Sequence, residues 1–399
     1  MLQFAGMTTD RVPSTAHGTA PSMVPRIDAR LLVDKILEDA VRLGASDVHV
    51  EPTAIGCEVR FRIDGLLQVA DRYDIDSGRS LATRLMVLAK LLTYRPEIPQ
   101  EGRATISVPS AKSPLDIRIS MMPTTHGPRA AVRLPADLIQ PHTLDELLLP
   151  PAAVNGLKQF AVSDSGMLVV TGPAGSGKTT TVYALLRHIA ETSPGLSIVT
   201  LEDPVERDLP GITQVEVTPF GERTYERALR SLLRQDPQVL MLGEIRDADT
   251  ASLAVQAALS GHRLVCTLHA ATPGGAVARL LEMGVEPYQI TSSLAGVLSQ
   301  RLLRRLVSDK GERKYRGRIP AAEYVTIDAA ARKAILARAE ADSLQSHFAR
   351  QAQYVSVQSA AQALVASGFT DAAEVTRVLG VIAQGAAGRG GSPCSEPSV

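Results

Sequence analysis

The sequence predicts an α/β protein in which a mostly parallel sheet covered by helices follows a smaller α+β domain. From Met167 onward, short apolar strands alternate with helical segments. Such alternation is typical of a parallel sheet whose strands end at a common ligand-binding edge. Upstream, residues 57–64 alternate apolar and polar side chains with a period of two. This pattern, followed by the turn Asp64-Gly65, predicts a half-buried strand and a hairpin.

A complete phosphate-binding loop, Gly-Pro-Ala-Gly-Ser-Gly-Lys-Thr, follows the first apolar strand of the core at Gly172–Thr179. Its glycines let the backbone curl so that successive N–H groups face inward. Lys178 is predicted to reach the β and γ phosphates, and Thr179 to help hold Mg²⁺. A chance glycine-rich turn is the alternative, and the strand–loop–helix context opposes it. The predicted cofactors are ATP and Mg²⁺, and the predicted nucleotide-binding residues are Gly172, Pro173, Ala174, Gly175, Ser176, Gly177, Lys178, Thr179 and Thr180.

Composition argues against several classes of function. Lys plus Arg equals Asp plus Glu at 42 each, so no global field attracts DNA or anionic lipid. Aromatic residues make up 4% and Trp is absent, which leaves few platforms for stacking bases. Cys57, Cys266 and Cys394 lie far apart in sequence and indicate neither disulfides nor a zinc site. No apolar run has the roughly 18 residues of a membrane span. We predict a cytosolic protein without a membrane span and without a nucleic-acid partner.

The patterns along the sequence predict six consecutive segments. The small domain begins with a helix capped by Asp28, and its second helix carries Leu81, Leu85, Leu88 and Leu92 on one face. After about Leu306 the chain is predicted to become helical, with helices at Ala330–Ala341 and Val357–Leu364. The predicted segments are a disordered arm (1–25), a small α+β domain (26–137), a linker (138–150), an ATP-binding core (151–306), a helical subdomain (307–384) and a disordered tail (385–399).

Polar residues follow the apolar strands of the core. Glu244 comes just after Val239–Leu242, and a carboxylate there is predicted to activate the attacking water. The alternative is an exposed glutamate at a strand end. Gly243 takes the place of the usual strand-end Asp, so Mg²⁺ is expected to rely on Thr179, water and Glu202.

Two further strand ends carry candidate site residues. Glu202 and Asp203 follow Ser197–Leu201, where they would bind water on Mg²⁺. A turn that merely carries acidic residues is the alternative. His269 follows Leu264–Leu268 and is predicted to sense the γ-phosphate, although a lone histidine there is more often a satisfied core residue.

Beyond the phosphate loop, the sequence contains eight short motifs in a fixed order: Ala45–Pro52, Arg62–Gly65, Pro99–Arg103, Glu202–Glu206, Arg234–Pro237, Gly243–Asp247, Thr267–His269 and Tyr315–Arg318. Together they resemble the motifs of the secretion ATPases, the hexameric motors of type II secretion and type IV pilus assembly. The resemblance covers about Asp28 to Leu379, and several ordered motifs are far more specific than a phosphate loop alone.

The resemblance implies a RecA-like P-loop ATPase domain, preceded by a smaller PAS-like domain that swings over the nucleotide, in a homohexameric ring. It also implies that Arg118 and Arg133 complete the site as charge stabilisers. The residues alone leave open that each is an ordinary arginine on a solvated strand face. The implied partners are a polytopic inner-membrane platform protein and a membrane-anchored cytoplasmic docking domain. The protein is then expected at the cytoplasmic face of the bacterial inner membrane.

Two departures from the resemblance affect these expectations. Close relatives carry two cysteine pairs that bind zinc between Arg305 and Tyr315, and this sequence has none, so we predict no zinc. Relatives also carry an additional N-terminal docking domain where this sequence has a short arm, which leaves the route of recruitment open.

The function that we expect is ATP hydrolysis that drives assembly of a type II secretion pseudopilus or a type IV pilus. Ala45–Pro52 and Tyr315–Arg318 look more like assembly motors than retraction motors. Two alternatives stay open: a RecA-like motor that translocates DNA, and a nucleotide-switched scaffold with little turnover.

Overall fold

The computed structural model describes residues 28–111, 113–135, 141–218, 224–307 and 314–380. The arm predicted at 1–25 and the tail predicted at 385–399 lie outside these residues. The chain divides into two compact units. The first contains the described residues up to Leu43 together with Asp47–Phe61 and Gln68–Leu134; the second contains all other described residues. None of the helices in the described ranges is long and apolar enough to cross a membrane.

The N-terminal part of the chain forms a six-stranded sheet with the strand order β3-β2-β1-β6-β5-β4. Strands β4, β5, β6 and β1 pair antiparallel. Its helices pack against each other, and α2 also packs on β5 and β6. The elements are α1 (Ala29–Arg42), β1 (Ala45–Thr53), β2 (Gly56–Ile63), β3 (Leu66–Tyr73), α2 (Ile75–Leu88), β4 (Gln100–Ile106), β5 (Leu115–Thr124) and β6 (Gly127–Arg133).

Local chemistry explains where the helices of this sheet begin and end. Asp28 caps α1 as predicted, because its carboxylate accepts a hydrogen bond of 2.8 Å from the Arg30 backbone N–H. The prediction for α2 was one turn too long. Lys90 adopts a left-handed φ of 56°, which ends the helical path, and Leu92 lies beyond it with 41% of its surface exposed. No strand was predicted at the position of β4.

The ATP-binding core is a seven-stranded sheet with the order β13-β12-β7-β11-β10-β8-β9. All neighbours run parallel except β12 and β13. The strands are β7 (Gly166–Thr171), β8 (Ile198–Glu202), β9 (Thr213–Glu216), β10 (Val239–Leu242), β11 (Arg263–Leu268), β12 (Leu294–Leu306) and β13 (Tyr315–Thr326). The helices are α3 (Pro151–Ala161), α4 (Lys178–Thr192), α5 (Tyr225–Leu232), α6 (Ala248–Leu259), α7 (Pro273–Glu282), α8 (Pro287–Ser293), α9 (Ala329–Leu336), α10 (Ala341–Phe348), α11 (Val357–Ala366) and α12 (Ala372–Leu379).

Helices cover both faces of this sheet, as the apolar strands require. Along β7, Met167 and Val169 face a core cluster that includes residues of α5, α6 and α7. Leu168 and Val170 face the opposite cluster, which includes residues of α3 and α4. Successive side chains of a strand point to opposite faces, so a strand buried on both faces needs a continuous apolar run. The predicted parallel strands of the core are therefore present.

The prediction that the chain becomes helical after about Leu306 is wrong for its first part. Tyr315–Thr326 forms β13, which pairs antiparallel with β12 over nearly its whole length. Residues 319–322 are apolar and buried in the sheet, and Gly317 and Pro320 disfavour a helix here. The helix predicted at Ala330–Ala341 was too long: α9 ends at Leu336, Arg338 has a left-handed φ of 52°, and the next helix, α10, begins at Ala341. The helix predicted at Val357–Leu364 lies within α11.

A buried ionic cluster fixes the last helix to the core sheet. The Glu374 side chain on α12 is fully buried and accepts hydrogen bonds from Arg304 Nη2 at 2.7 Å and Arg377 Nη2 at 2.6 Å. It also accepts from the Arg304 backbone N–H at 2.9 Å. Burial by itself raises the pKa of Glu374, but the bonds from Arg377 and Arg304 outweigh it and lower the pKa to about 2.

Replacing Glu374 by Gln is therefore expected to destabilise the fold by about 3 kcal/mol at pH 7, because two arginines lose their buried counter-ion. The pKa of Glu374 in the folded state, about 2, is below the ordinary value of 4.5. The contribution of Glu374 to the free energy of unfolding should therefore be complete above pH 4.5 and decrease as the pH falls toward 2. Urea unfolding at pH 7, 5 and 3 measures this. The matched control is Glu286→Gln in the exposed pair with Arg338, and an equal effect of both variants would contradict the assignment.

Candidate active site

The carboxyl ends of four parallel strands meet at one edge of the core sheet. In the order β7-β11-β10-β8, these strands are followed by the phosphate loop, by His269, by Glu244 and by Asp203. Ligands of open parallel sheets bind at such an edge. The predicted catalytic residues of the core therefore lie on neighbouring strand ends.

Two glycines of the phosphate loop have backbone conformations that other residues would adopt only with strain. Gly172 has a φ of 148°, and a Cβ there would lie 2.6 Å from the carbonyl oxygen of Gln300. Gly177 has a φ of 87° and stands at the N-terminus of α4 without a side-chain cap. The first N–H groups of α4 are thus left for an anion, and the helix dipole favours negative charge at that point.

Gln300 on β12 holds the loop in place from the adjacent strand. Its side chain is buried, and its Nε2 donates to the Ser176 carbonyl oxygen at 2.7 Å. Its Oε1 accepts from the Thr181 hydroxyl on α4 at 2.9 Å. Both ends of the amide are therefore used to join the loop and the helix that follows it to β12.

Lys178 lies at the first turn of α4 with its amino group folded over the loop. Nζ donates to the carbonyl oxygens of Gly172 at 2.9 Å and Pro173 at 3.1 Å. Burial lowers the pKa of Lys178, and the nearby carboxylate of Glu244 opposes that shift. The ammonium group is thus hydrogen-bonded to the loop, and the charge of the candidate water-activating residue acts on it.

Glu244 is held between a histidine and an arginine. Its Oε1 lies 2.8 Å from His269 Nε2, and its Oε2 accepts a hydrogen bond of 2.7 Å from Arg246 Nε. Arg246 Nη1 also lies 3.5 Å from Asp203 Oδ2. The hydrogen bond to Glu244 is the main cause that raises the pKa of Arg246. The structure thereby brings together the predicted residues Glu244, His269 and Asp203.

Thr171, the last residue of β7, fixes the segment on both sides of His269. Its hydroxyl lies 3.0 Å from the Leu268 carbonyl oxygen and 2.9 Å from that of Ala270, and it accepts from the Ala270 N–H at 2.9 Å. Arg301 Nη2 donates to the Ala271 carbonyl oxygen at 2.9 Å. The strand that leads into the phosphate loop therefore also positions the predicted γ-phosphate sensor.

Glu202 is buried rather than open to the site, with 3% of its surface exposed. Its Oε1 accepts from the Thr200 hydroxyl at 2.6 Å and from Gln214 Nε2 at 3.0 Å. Its Oε2 accepts from the Tyr183 hydroxyl on α4. Burial and the bond to Glu202 raise the pKa of Tyr183. One lone pair of Oε2 remains for a further donor, such as a water molecule.

Arg118 and Arg133 belong to the N-terminal sheet. They are direct neighbours on β5 and β6, and Arg103 on β4 extends the row. Arg133 is largely exposed, and its Nε lies 3.3 Å from Asp47 Oδ1 on β1. Three arginines on one face of adjacent strands make this row strongly cationic.

The residues of this edge fit a nucleoside triphosphate and its magnesium ion. The uncapped α4 N-terminus and Lys178 supply donors for phosphate oxygens. Within the described ranges, the Thr179 hydroxyl has no hydrogen-bond partner and is available to a hard cation. No group of three or more His, Cys, Asp or Glu that could hold a metal occurs among these residues. The absence of zinc stays a prediction, since residues 308–313 lie outside the description.

Sequence reasoning missed three residues that shape this site: Gln300, Arg246 and Thr171. Arg246 lies within the motif Gly243–Asp247, so its spacing two residues after Glu244 was a usable signal. Ser299-Gln300 directly follows the apolar segment Leu294–Leu298 of β12, which is typical of a buried polar residue with fixed partners. Thr171 gave no such signal.

The fold and the site define a P-loop nucleotide-binding protein with a RecA-like core. The family described as Type II/IV secretion system protein matches residues 26–377. The chain is 40% identical over 367 residues to type II secretion system protein HxcR of Pseudomonas aeruginosa, covering 87% of this chain and 76% of that protein. It is 37% identical over 380 residues to type II secretion system ATPase E of Vibrio cholerae, covering 87% and 74% respectively.

Among solved structures, the Legionella pneumophila ATPase DotB has a similar fold, with a TM-score of 0.69 at 20% sequence identity. That similarity covers 90% of this chain and 97% of DotB. The chain therefore belongs to the type II/IV secretion system family, and it is an ATPase of that family. The predicted resemblance, fold class and enzyme class are confirmed.

Gln300→Leu is expected to weaken ADP binding roughly 10-fold, or about 1.4 kcal/mol. The reason is that the variant leaves the Ser176 carbonyl oxygen and the Thr181 hydroxyl unpaired, so part of the cost of these unpaired groups appears as a loss of the loop conformation that binds phosphate. Titration calorimetry of ADP binding measures the loss. Gln300→Glu is the matched variant, since it keeps the acceptor for Thr181 and removes the donor to Ser176. Unchanged ADP affinity in Gln300→Leu would show that the loop keeps its shape without this contact.

Proposed function

We propose that this chain is the subunit of an ATP-hydrolysing homohexameric motor that drives assembly of a type II secretion pseudopilus or a type IV pilus. The observation that carries the proposal is the pair of Glu244 and His269, which lies at the same edge of the core sheet as the phosphate loop, in a chain that belongs to this family. Hydrolysis of a β–γ phosphate bond needs a phosphate cradle, an oriented water and positive charge near the transferred group.

The residues of the core divide these tasks. The loop amides of Gly172–Thr180 and Lys178 bind the phosphates, and Thr179 holds Mg²⁺, which neutralises phosphate charge when bound. Glu244 orients and deprotonates the attacking water. Its two carboxylate oxygens contact His269 and Arg246. A γ-phosphate near Lys178 would compete for His269, and this competition is how the histidine senses the nucleotide.

Glu202 supports the metal site from behind. Its remaining lone pair can accept a hydrogen bond from water, while the other three hold Tyr183, Thr200 and Gln214. It thus links the first turns of α4 to β8 beside the site. Direct coordination of Mg²⁺ would require these bonds to break.

Arg118 and Arg133 act as the charge stabilisers in this proposal. Support comes from the family motif positions and from the cationic row that they form with Arg103. Positive charge near the transferred phosphoryl group stabilises the transition state. We place the small domain at 26–137 and the ATP-binding core from residue 151 onward, with β13 as part of the core sheet and α9 to α12 after it. Motion of the small domain is coupled to turnover.

We propose that the motor moves a protein and not a nucleic acid. We propose that the ring works at the cytoplasmic face of the bacterial inner membrane. There it would engage a polytopic platform protein and a membrane-anchored docking domain. The balanced charge of 42 basic and 42 acidic side chains disfavours DNA as the load.

Glu244→Gln is expected to lower ATP turnover by about 10²- to 10⁴-fold, because the amide cannot take a proton from water. ATP binding should persist, since the phosphate loop is unchanged. Steady-state turnover per chain across a range of protein concentrations measures this, and the wild type should gain specific activity as rings form. Glu282→Gln, in the exposed pair with Arg279, is the control.

Two results would count against the proposal. Turnover that Glu244→Gln leaves intact would remove Glu244 from the chemistry. ATP binding with negligible wild-type turnover at every concentration, also after addition of the platform protein, would favour a nucleotide-switched scaffold.

A further inference from the structure

Gly243 leaves a space at the end of β10 that another side chain fills. A Cβ at this position would lie 2.6 Å from the Tyr225 hydroxyl oxygen, 3.2 Å from the Leu201 carbonyl oxygen and 3.5 Å from Glu202 Cα. The phenol oxygen therefore sits between the carboxyl ends of β10 and β8. A strand-end aspartate at residue 243 would need the same space.

The ring of Tyr225 is fixed, while its hydroxyl faces polar surroundings. Tyr225 is the first residue of α5, and its ring packs against the core cluster that includes Leu201, Leu229 and Leu242. Within the part of the chain that the structure describes, its hydroxyl has no hydrogen-bond partner. A phenol at a partly buried position normally has such a partner.

The charges around the hydroxyl keep it protonated. Burial raises the pKa of Tyr225, and the carboxylates of Asp203, Glu202 and Glu244 raise it further, against the opposing effect of Arg246. At neutral pH the group is therefore a neutral phenol that can donate one hydrogen bond and accept another. A carboxylate in this space would only accept.

We propose that the Tyr225 hydroxyl takes the place of the missing strand-end carboxylate and hydrogen-bonds the hydration shell of the nucleotide's Mg²⁺ ion. The inference rests on the proposed function, because it assumes an ATP site at the phosphate loop. Tyr225 is a positioning residue in this scheme. It retains a water molecule beside Glu244 and the metal, and it makes no bond to the nucleotide itself.

Tyr225→Phe tests the hydroxyl alone, because the ring and its packing stay. The Mg²⁺ concentration that half-saturates ADP binding, measured by calorimetry, should rise about 2- to 10-fold, the usual effect of one lost hydrogen bond. ADP affinity in EDTA should not change. Tyr288→Phe, at an exposed position on α8, is the matched control. An unchanged Mg²⁺ requirement, or an equal loss of affinity with and without Mg²⁺, would overturn the proposal.

Gly243→Ala gives an independent test, since it displaces the hydroxyl without removing it. Its Mg²⁺ requirement should rise as in Tyr225→Phe, and the double variant should need little more Mg²⁺ than either single variant. Fully additive effects would show that the two positions act separately and would refute the inference. Both variants are tested by ADP binding, which needs no ATP turnover. If the wild type bound ADP but hydrolysed no ATP, the motor proposal would be refuted, while the test of Tyr225 would stay valid.

Discussion

Gln300 joins the phosphate loop to the strand beside it, and the shape of the loop depends on that contact. The loop must curl tightly for its N–H groups to converge on an anion. Its first glycine therefore approaches the Gln300 backbone, and the Gln300 side chain fixes Ser176 and Thr181. Since β12 lies next to β7 in the sheet, a residue more than a hundred positions downstream of the loop completes its support.

The same edge of the sheet holds a network of charged side chains. Glu244 would be costly to desolvate alone, and it contacts His269 and Arg246. Arg246 in turn lies near Asp203, so two carboxylates, a guanidinium and an imidazole share one network. In the function that we propose, a bound phosphate would compete with these carboxylates for the cations, because charged partners make strong hydrogen bonds.

At the end of the described chain, ionic contacts add to an apolar cluster. The cluster of α11 and α12 on the β12–β13 hairpin includes Leu303, Ile319 and Val375. Glu374, Arg304 and Arg377 add directional bonds to it, and a cation–π contact of 4.0 Å between Arg304 and Tyr315 contributes as well. Displacing α12 would leave buried charges without their partners, so this cluster opposes such a displacement.

The sequence by itself determined the phosphate loop, the parallel strands of the core and the candidate residues Glu244 and His269, because these depend on local spacing and strand periodicity. Only the tertiary structure decided what surrounds them. The enclosure of Glu202 by Tyr183, the brace at Gln300 and the phenol beside Gly243 all join residues that are distant in sequence. The strand β13 was missed because its partner, β12, lies in another segment of the chain, and the pairing of two strands is a non-local interaction that a local pattern does not show.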